Sequence, residues 1–240
     1  MGTSNELKIL AEKLREIFKD VYNKLKDKDL NDRTLDKEVL KIVGKIKIIE
    51  EKLEIRFSEP KDPIYRAEAG RTPYDLLCFG KINRKNFMIF INNKFGDIFS
   101  EARNDVTTYN NLLRLYLCIP AQRLTSKVTV DGNLIFRRVR GNELVAYALF
   151  VIDKKRRGYK FFLLEEIRDN FYVNPRNTMF QVKYNPSLGD PVDYYTFCMK
   201  LIDAIIEALK RSLDAIKTEI IVLNTIKEKL IELEGRISHE

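Results

Sequence analysis

The stretches Thr72-Pro73-Tyr74-Asp75-Leu76-Leu77-Cys78-Phe79-Gly80 and Asn86-Phe87-Met88-Ile89-Phe90-Ile91-Asn92-Asn93-Lys94 decide how this chain folds. Tyr74 to Phe79 and Asn86 to Lys94 read as two strands flanking a turn, with Ile89-Phe90-Ile91 a buried-strand signature. An acidic residue opens the first strand, and a lysine closes the second. With the turn centred on Asn83-Arg84, Ile82 faces Lys85, and the same register carried outward sets Asp75 opposite Asn92. Strand side chains alternate, so Asn92 and Lys94 share one face. Asp75, Asn92 and Lys94 therefore converge at the open end of the hairpin. A turn one residue longer or shorter would break that pairing.

Outward from the hairpin, both ends of the chain read as helix. Leu7, Leu10, Leu14, Ile17, Phe18, Val21 and Leu25 recur at three- and four-residue steps and predict one amphipathic helix from Asn5 to about Lys26. Thr34 or Asp36 is placed to cap a second, from about Leu35 to Phe57, with Val39, Ile42, Val43, Ile46, Ile49 and Leu53 on one face and Pro60 and Pro63 beyond its end. Past the hairpin, Asp105 to Leu117 has a helical pattern. Val128–Val130, Leu134–Val139 and Leu144–Ile152 read as strands, followed by the apolar run Phe161–Leu164 and the alternating Met179–Tyr184. From Val192 to about Ile237 the spacing predicts one long helix or two with a hinge. These elements make an α/β chain with a mixed sheet flanked by long helices.

Composition narrows the class. The 240 residues carry a formal charge of +8, which favours polyanionic partners through steering and counterion release. No apolar run approaches the roughly 20 residues a membrane helix needs, and no secretory signal opens the chain, so a soluble cytoplasmic protein is expected. Cys78, Cys118 and Cys198 lie far apart in apolar surroundings, unlike zinc ligands or a disulfide framework. The lone His239 anchors no histidine-based site, and no phosphate-loop or dinucleotide glycine motif is present. A high charged fraction, many isoleucines, no tryptophan and only Gln122 and Gln181 as glutamines point to a thermophilic source.

A carboxylate, further oxygen donors and a lysine at one strand end suit phosphodiester hydrolysis. A divalent cation polarises the phosphate and activates water, while the lysine neutralises developing charge. Pro73-Tyr74-Asp75 resembles the PD element of the PD-(D/E)xK nuclease superfamily, and Asn92-Asn93-Lys94 is similar to its (D/E)xK element. Phe90-Ile91-Asn92-Asn93-Lys94-Phe95-Gly96 followed by Ala102–Thr108, Phe150–Asp153 and Asn174–Val182 look like type II restriction endonucleases of that superfamily. The resemblance covers roughly residues 65 to 185. It implies a restriction-endonuclease-like core in a single domain over 1–240, with N-terminal helices at 1–57, a catalytic and DNA-recognition core at 58–190 and a dimerising helical segment at 191–240.

The resemblance assigns catalysis to Asp75, Asn92, Lys94 and Glu50, and metal binding to Asp75, Asn93 and Glu50. Asn92 departs from the pattern, because an amide ligates a hard cation without bringing charge. A glutamate of the preceding helix is the expected substitute. On a helical wheel Glu50 lies roughly 45° from the apolar direction and Glu54 roughly 85°, with Glu68 competing from the loop. Mg²⁺ is the implied cofactor, with Mn²⁺ as a substitute.

For DNA contact, the basic runs supply Arg137, Arg138, Arg140, Lys155, Arg156 and Arg157, although solvated turns explain such runs equally well. Asn174, Arg176, Asn177 and Gln181 carry side chains able to read base edges. The implied enzyme is a homodimer cutting double-stranded DNA with 5′-phosphate ends, and its system would include a methyltransferase that does not bind it stably. Two alternatives stand beside it. One is a junction resolvase or repair nuclease of the same superfamily. The other is a non-catalytic DNA-binding protein, with Asn92 marking lost activity.

Overall fold

The computed structural model describes residues 2–60, 73–117, 143–155, 157–174, 177–212 and 217–237. The chain forms two compact units. The first comprises Met1–Asn104, Asn142–Asp169 and Lys183–Tyr194; the second comprises Asp105–Gly141, Asn170–Val182 and Tyr195–Glu240. The α/β class and the mixed sheet are as expected.

The first unit opens with helices α1 (Gly2–Leu25) and α2 (Asp32–Val43). Asn31 caps α2: its side-chain oxygen accepts the Thr34 N–H at 3.1 Å, and the Thr34 hydroxyl oxygen accepts the Asn31 N–H at 3.0 Å. Asp36 is thereby left out of the cap. The helix expected to run on to Phe57 stops at Val43. Residues 44–58 form β1 (Lys47–Glu50) and β2 (Leu53–Ser58) instead. Ile46, Ile49 and Leu53 fit a helical step, but Leu53, Ile55 and Phe57 also alternate. The β-branched content and the close of the helix at Gly44 favour the strand.

Strands β3 (Leu76–Ile82) and β4 (Lys85–Gly96) form the expected hairpin, with Ile82 paired to Lys85. Asn83 and Arg84 both take positive φ, +48° and +70°, the backbone that a two-residue turn needs to match strand twist. Strands β6 (Leu144–Asp153) and β7 (Tyr159–Leu163) complete a six-stranded sheet of order β1-β2-β3-β4-β6-β7. All neighbours are antiparallel except β4 and β6, which run parallel. Every residue of β6 is buried, which is why its sequence is an unbroken apolar run.

Helix α1 packs on β6 and β7, and α2 on β4 and β2. One core cluster joins Leu10, Leu14 and Phe18 of α1 and Val39 of α2 to Ile89, Ile91, Ala146 and Phe150. The Phe18 ring meets Phe57, Phe150 and Phe161, so Phe18→Ala would cost about 3–5 kcal/mol. Arg15 of α1 pairs with the buried Glu166, whose other oxygen accepts the Leu163 N–H at 2.8 Å.

The second unit holds the sheet β5-β9-β8, from β5 (Arg103–Thr108), β8 (Tyr172–Val173) and β9 (Met179–Lys183), together with helices α3 (Tyr109–Leu117), α4 (Tyr194–Arg211) and α5 (Lys217–Ile237). The helix expected from Asp105 begins only at Tyr109, because Val106-Thr107-Thr108 continue a strand. Tyr116, Phe197, Phe171 and Phe180 form a chain of ring contacts in its core. The expected strands Val128–Val130 and Leu134–Val139 lie outside the described residues, as do Cys118 and His239. Cys78 and Cys198 are buried.

Candidate active site

The hairpin register holds through Leu76↔Ile91, and beyond that pair the chain departs from a regular ladder. The Asp75 N–H bonds the Ile91 carbonyl at 2.9 Å, and the Asp75 carboxylate accepts the Asn93 N–H at 2.8 Å. Asp75 therefore straddles position 92, where a backbone carbonyl would otherwise continue the ladder. Asn93 is only 7% exposed and faces the helices, so its side-chain amide reaches α2 and donates to Asp36 Oδ1 at 3.0 Å. One asparagine thus holds two carboxylates, one with its backbone and one with its side chain.

The electrostatics follow from that closeness. Burial, with the Asp36 charge next, pushes the Asp75 carboxyl up to about 6. The Asn93 N–H and the Lys94 ammonium oppose the rise without cancelling it. Asn93 Oδ1 is buried and receives no hydrogen bond among the described residues. An unsatisfied buried oxygen is costly, and the residue that carries it bonds, through its two N–H groups, two carboxylates that repel each other. Among the described residues no cluster of three or more His, Cys, Asp and Glu is arranged for a metal. The donor set is instead two carboxylates and an amide oxygen, chemistry that suits a hard, oxygen-seeking divalent cation.

On the other sheet face, Asn92 is 6% exposed and its Nδ2 donates to the Tyr147 hydroxyl oxygen at 2.9 Å. That hydroxyl donates to the Pro73 carbonyl at 2.6 Å. Lys94, two residues on, is half-buried opposite Val151 of β6. At this end of the hairpin Asp75 bonds Asn93 and feels the Lys94 charge, while Asn92 and Lys94 point to the sheet face opposite Asn93.

Glu50 is not brought to them. It sits exposed on edge strand β1, in a 3.5 Å ion pair with Lys13. Through Leu53 and Ile82 it aligns with Lys85, at the closed end of the hairpin. Lys85 is seven residues before Asn92, about 24 Å along a strand. The helical wheel failed because the segment is not helical. Glu54 is on β2 paired with Arg56 at 2.5 Å, and Glu68 lies outside the described residues. The acid that α2 brings to this end of the hairpin is Asp36, held by Asn93. Its sequence signal was its place beside Leu35, at the edge of the α2 apolar stripe. Tyr147 was also missed, though a hydroxyl within Val145–Leu149 marks a buried polar atom in need of a partner.

Of the expected DNA contacts, Arg137, Arg138, Arg140, Arg156 and Arg176 lie outside the described residues. Lys155 is exposed in the β6–β7 turn. Arg157 is engaged: its guanidinium donates to Asp153 at 2.8 and 3.0 Å and to Asp97 at 3.1 Å, and it stacks on Phe99. Those bonds hold the Asp153 carboxyl down at about 2. In the second unit, Gln181 Nε2 donates to Asp105 at 2.6 Å, and Asn177 Oδ1 accepts the Met179 N–H at 3.1 Å in the β8–β9 turn that Asn174 opens.

Comparison with known proteins finds a chain 64% identical over 235 residues, 97% of this chain and 96% of the other. It is the Type II restriction enzyme MjaIV of Methanocaldococcus jannaschii. No family model matches the chain. Among the described residues no helix is long and apolar enough to cross a membrane.

Proposed function

The chain belongs to the type II restriction enzymes and is a sequence-specific DNA endonuclease; from that premise we propose that it is a metal-dependent PD-(D/E)xK nuclease whose active site is the Asp36–Asp75–Asn93 cluster with Asn92 and Lys94. The observation that carries this reading is the single Asn93 that holds two carboxylates by its N–H groups and keeps a buried side-chain oxygen without a donor among the described residues. Asp75, Asp36 and the Asn93 amide oxygen would hold Mg²⁺, or Mn²⁺ in its place. When bound, such a cation polarises a phosphate oxygen and makes water a stronger acid. Asn93 keeps the two carboxylates in place by its N–H groups, and Lys94 offsets the negative charge that grows on the phosphate during attack. Hydrolysis leaves a 5′-phosphate.

A two-fold DNA site fits a homodimer, and the C-terminal helices, with exposed Ile221 and Ile231 on α5, are the proposed contact. The cytoplasm, a thermophilic source and a separate methyltransferase belong to the same proposal. Incubating the full chain with plasmid and Mg²⁺ tests it, with a chelator as control. Discrete bands that disappear with chelator and with Asp75→Ala support the reading. Cutting that ignores either change, or a shifted but uncut plasmid, overturns it.

A further inference from the structure

We propose that Tyr147 is a positioning residue that makes position 92 an amide site, so that Asn92 is required where the motif otherwise carries an acid. The proposal rests on the reading of Asn92 as part of the nuclease site. It follows from the proton count of one hydroxyl. Tyr147 is fully buried in β6, and among the described residues its hydroxyl has two partners, the Pro73 carbonyl at 2.6 Å and the Asn92 side chain at 2.9 Å. A carbonyl only accepts, so the single phenolic proton goes to Pro73. The Tyr147 oxygen can then only accept from position 92. The Asn92 group facing it must be the NH₂, which turns the amide oxygen away from Tyr147.

An ionised carboxylate at position 92 has no proton to offer. It would set an acceptor against an acceptor inside a buried strand face, a costly arrangement. The alternative, with the phenolic proton turned toward the carboxylate, strips the Pro73 carbonyl of its donor. Pro73 precedes Tyr74 and Asp75, so the same hydroxyl ties the loop carrying Asp75 to the strand next to Asn92. The missing motif charge is then met from α2, where Asp36 reaches Asn93. On this account the asparagine is the partner that Tyr147 selects, not the trace of a lost activity.

The test compares the full chain with Asn92→Asp, Tyr147→Phe and the two together. Plasmid cleavage is followed across a Mg²⁺ titration, and thermal unfolding is followed in metal-free buffer at pH 8. Asn92→Asp alone should lower cleavage about tenfold or more and reduce the unfolding temperature. Adding Tyr147→Phe should recover part of both losses, because the opposing oxygen is gone. Tyr147→Phe alone should raise the Mg²⁺ needed for half-maximal rate, because the Asn92 amide and the Pro73 carbonyl each lose a partner. If Tyr147 only fills space, the two changes add their losses, and that result overturns the proposal. So does an Asn92→Asp protein as active and as stable as the parent. The unfolding comparison uses neither metal nor DNA. Rescue there, in a protein whose parent form shows no metal-dependent cleavage, upholds the Tyr147 pairing and overturns the nuclease-site reading instead.

Discussion

Asp36 and Asp75, from a helix and a strand end, are joined through one residue: Asn93 gives its backbone N–H to Asp75 and its side-chain N–H to Asp36. Two like charges are thereby held together in a half-buried place. The fold stores an electrostatic cost there, which a cation would relieve.

That cost should be measurable as stability. Folded Asp75 keeps its proton to about pH 6, whereas the ordinary aspartate value is 3.8. The folded chain therefore binds more protons across that window, and stability falls as pH rises from about 4 to about 6. Asp75→Asn should abolish cleavage yet make the metal-free protein more stable at pH 8, by on the order of 2–3 kcal/mol. The gain should vanish near pH 4. Denaturant unfolding at the two pH values checks it, and an Asp75→Asn protein less stable than its parent at pH 8 would refute the account.

Asp36 should matter where Glu50 does not. Asp36→Asn removes one of the two carboxylates and should lower cleavage at fixed Mg²⁺ by about a hundredfold, partly recovered at high metal. Glu50→Gln, at the other end of the sheet, should leave the Mg²⁺ titration unchanged. A reversed pattern would return the acid to Glu50.

The two basic residues of the β6–β7 turn should separate. Lys155 is exposed, and Lys155→Ala should reduce the salt dependence of DNA binding by about 0.9 in log–log slope if it meets a phosphate. Arg157 is spent on Asp153 and Asp97. Arg157→Ala should instead leave the slope unchanged and destabilise the fold by about 1–3 kcal/mol, because the buried Asp153 carboxylate keeps only the backbone N–H groups of residues 155 and 157. Binding isotherms across a salt series, with unfolding curves, distinguish them.

The hairpin turn offers a change in the other direction. Arg84 holds φ at +70° with an exposed side chain, a conformation glycine takes without strain. Arg84→Gly should raise stability by about 0.5–1 kcal/mol with cleavage unaltered. A lower unfolding midpoint would show that the Arg84 side chain supports the turn.

The hairpin was legible because its information is local: a two-residue turn, alternating side chains and a polar residue at each open end determine the register. Its open end carries Asp75, Asn92, Asn93 and Lys94, and the regular ladder ends one pair earlier, at Leu76 and Ile91. The stretch Ile46–Phe57 was not legible, because its apolar residues satisfy both a helical and a strand period, and only pairing with Leu77–Ile82 decides between them. Glu50 was misplaced for that reason alone. Asp36 and Tyr147 escaped because each reaches the hairpin from an element distant in sequence, and spacing carries no sign of such contacts.

The parallel pairing of β4 with β6 has a consequence for when the enzyme becomes competent. The β3–β4 hairpin can close by itself in the nascent chain, whereas β6 must return across the whole stretch 97–143 before Tyr147 meets Asn92. Pulse-labelled hydrogen exchange during refolding should find β3 and β4 protected before β6. Half-made molecules would then carry the hairpin without the hydroxyl that joins Asn92 to Pro73. A chain that ended before Leu144–Asp153 would lack the hydroxyl that links Asn92 to Pro73.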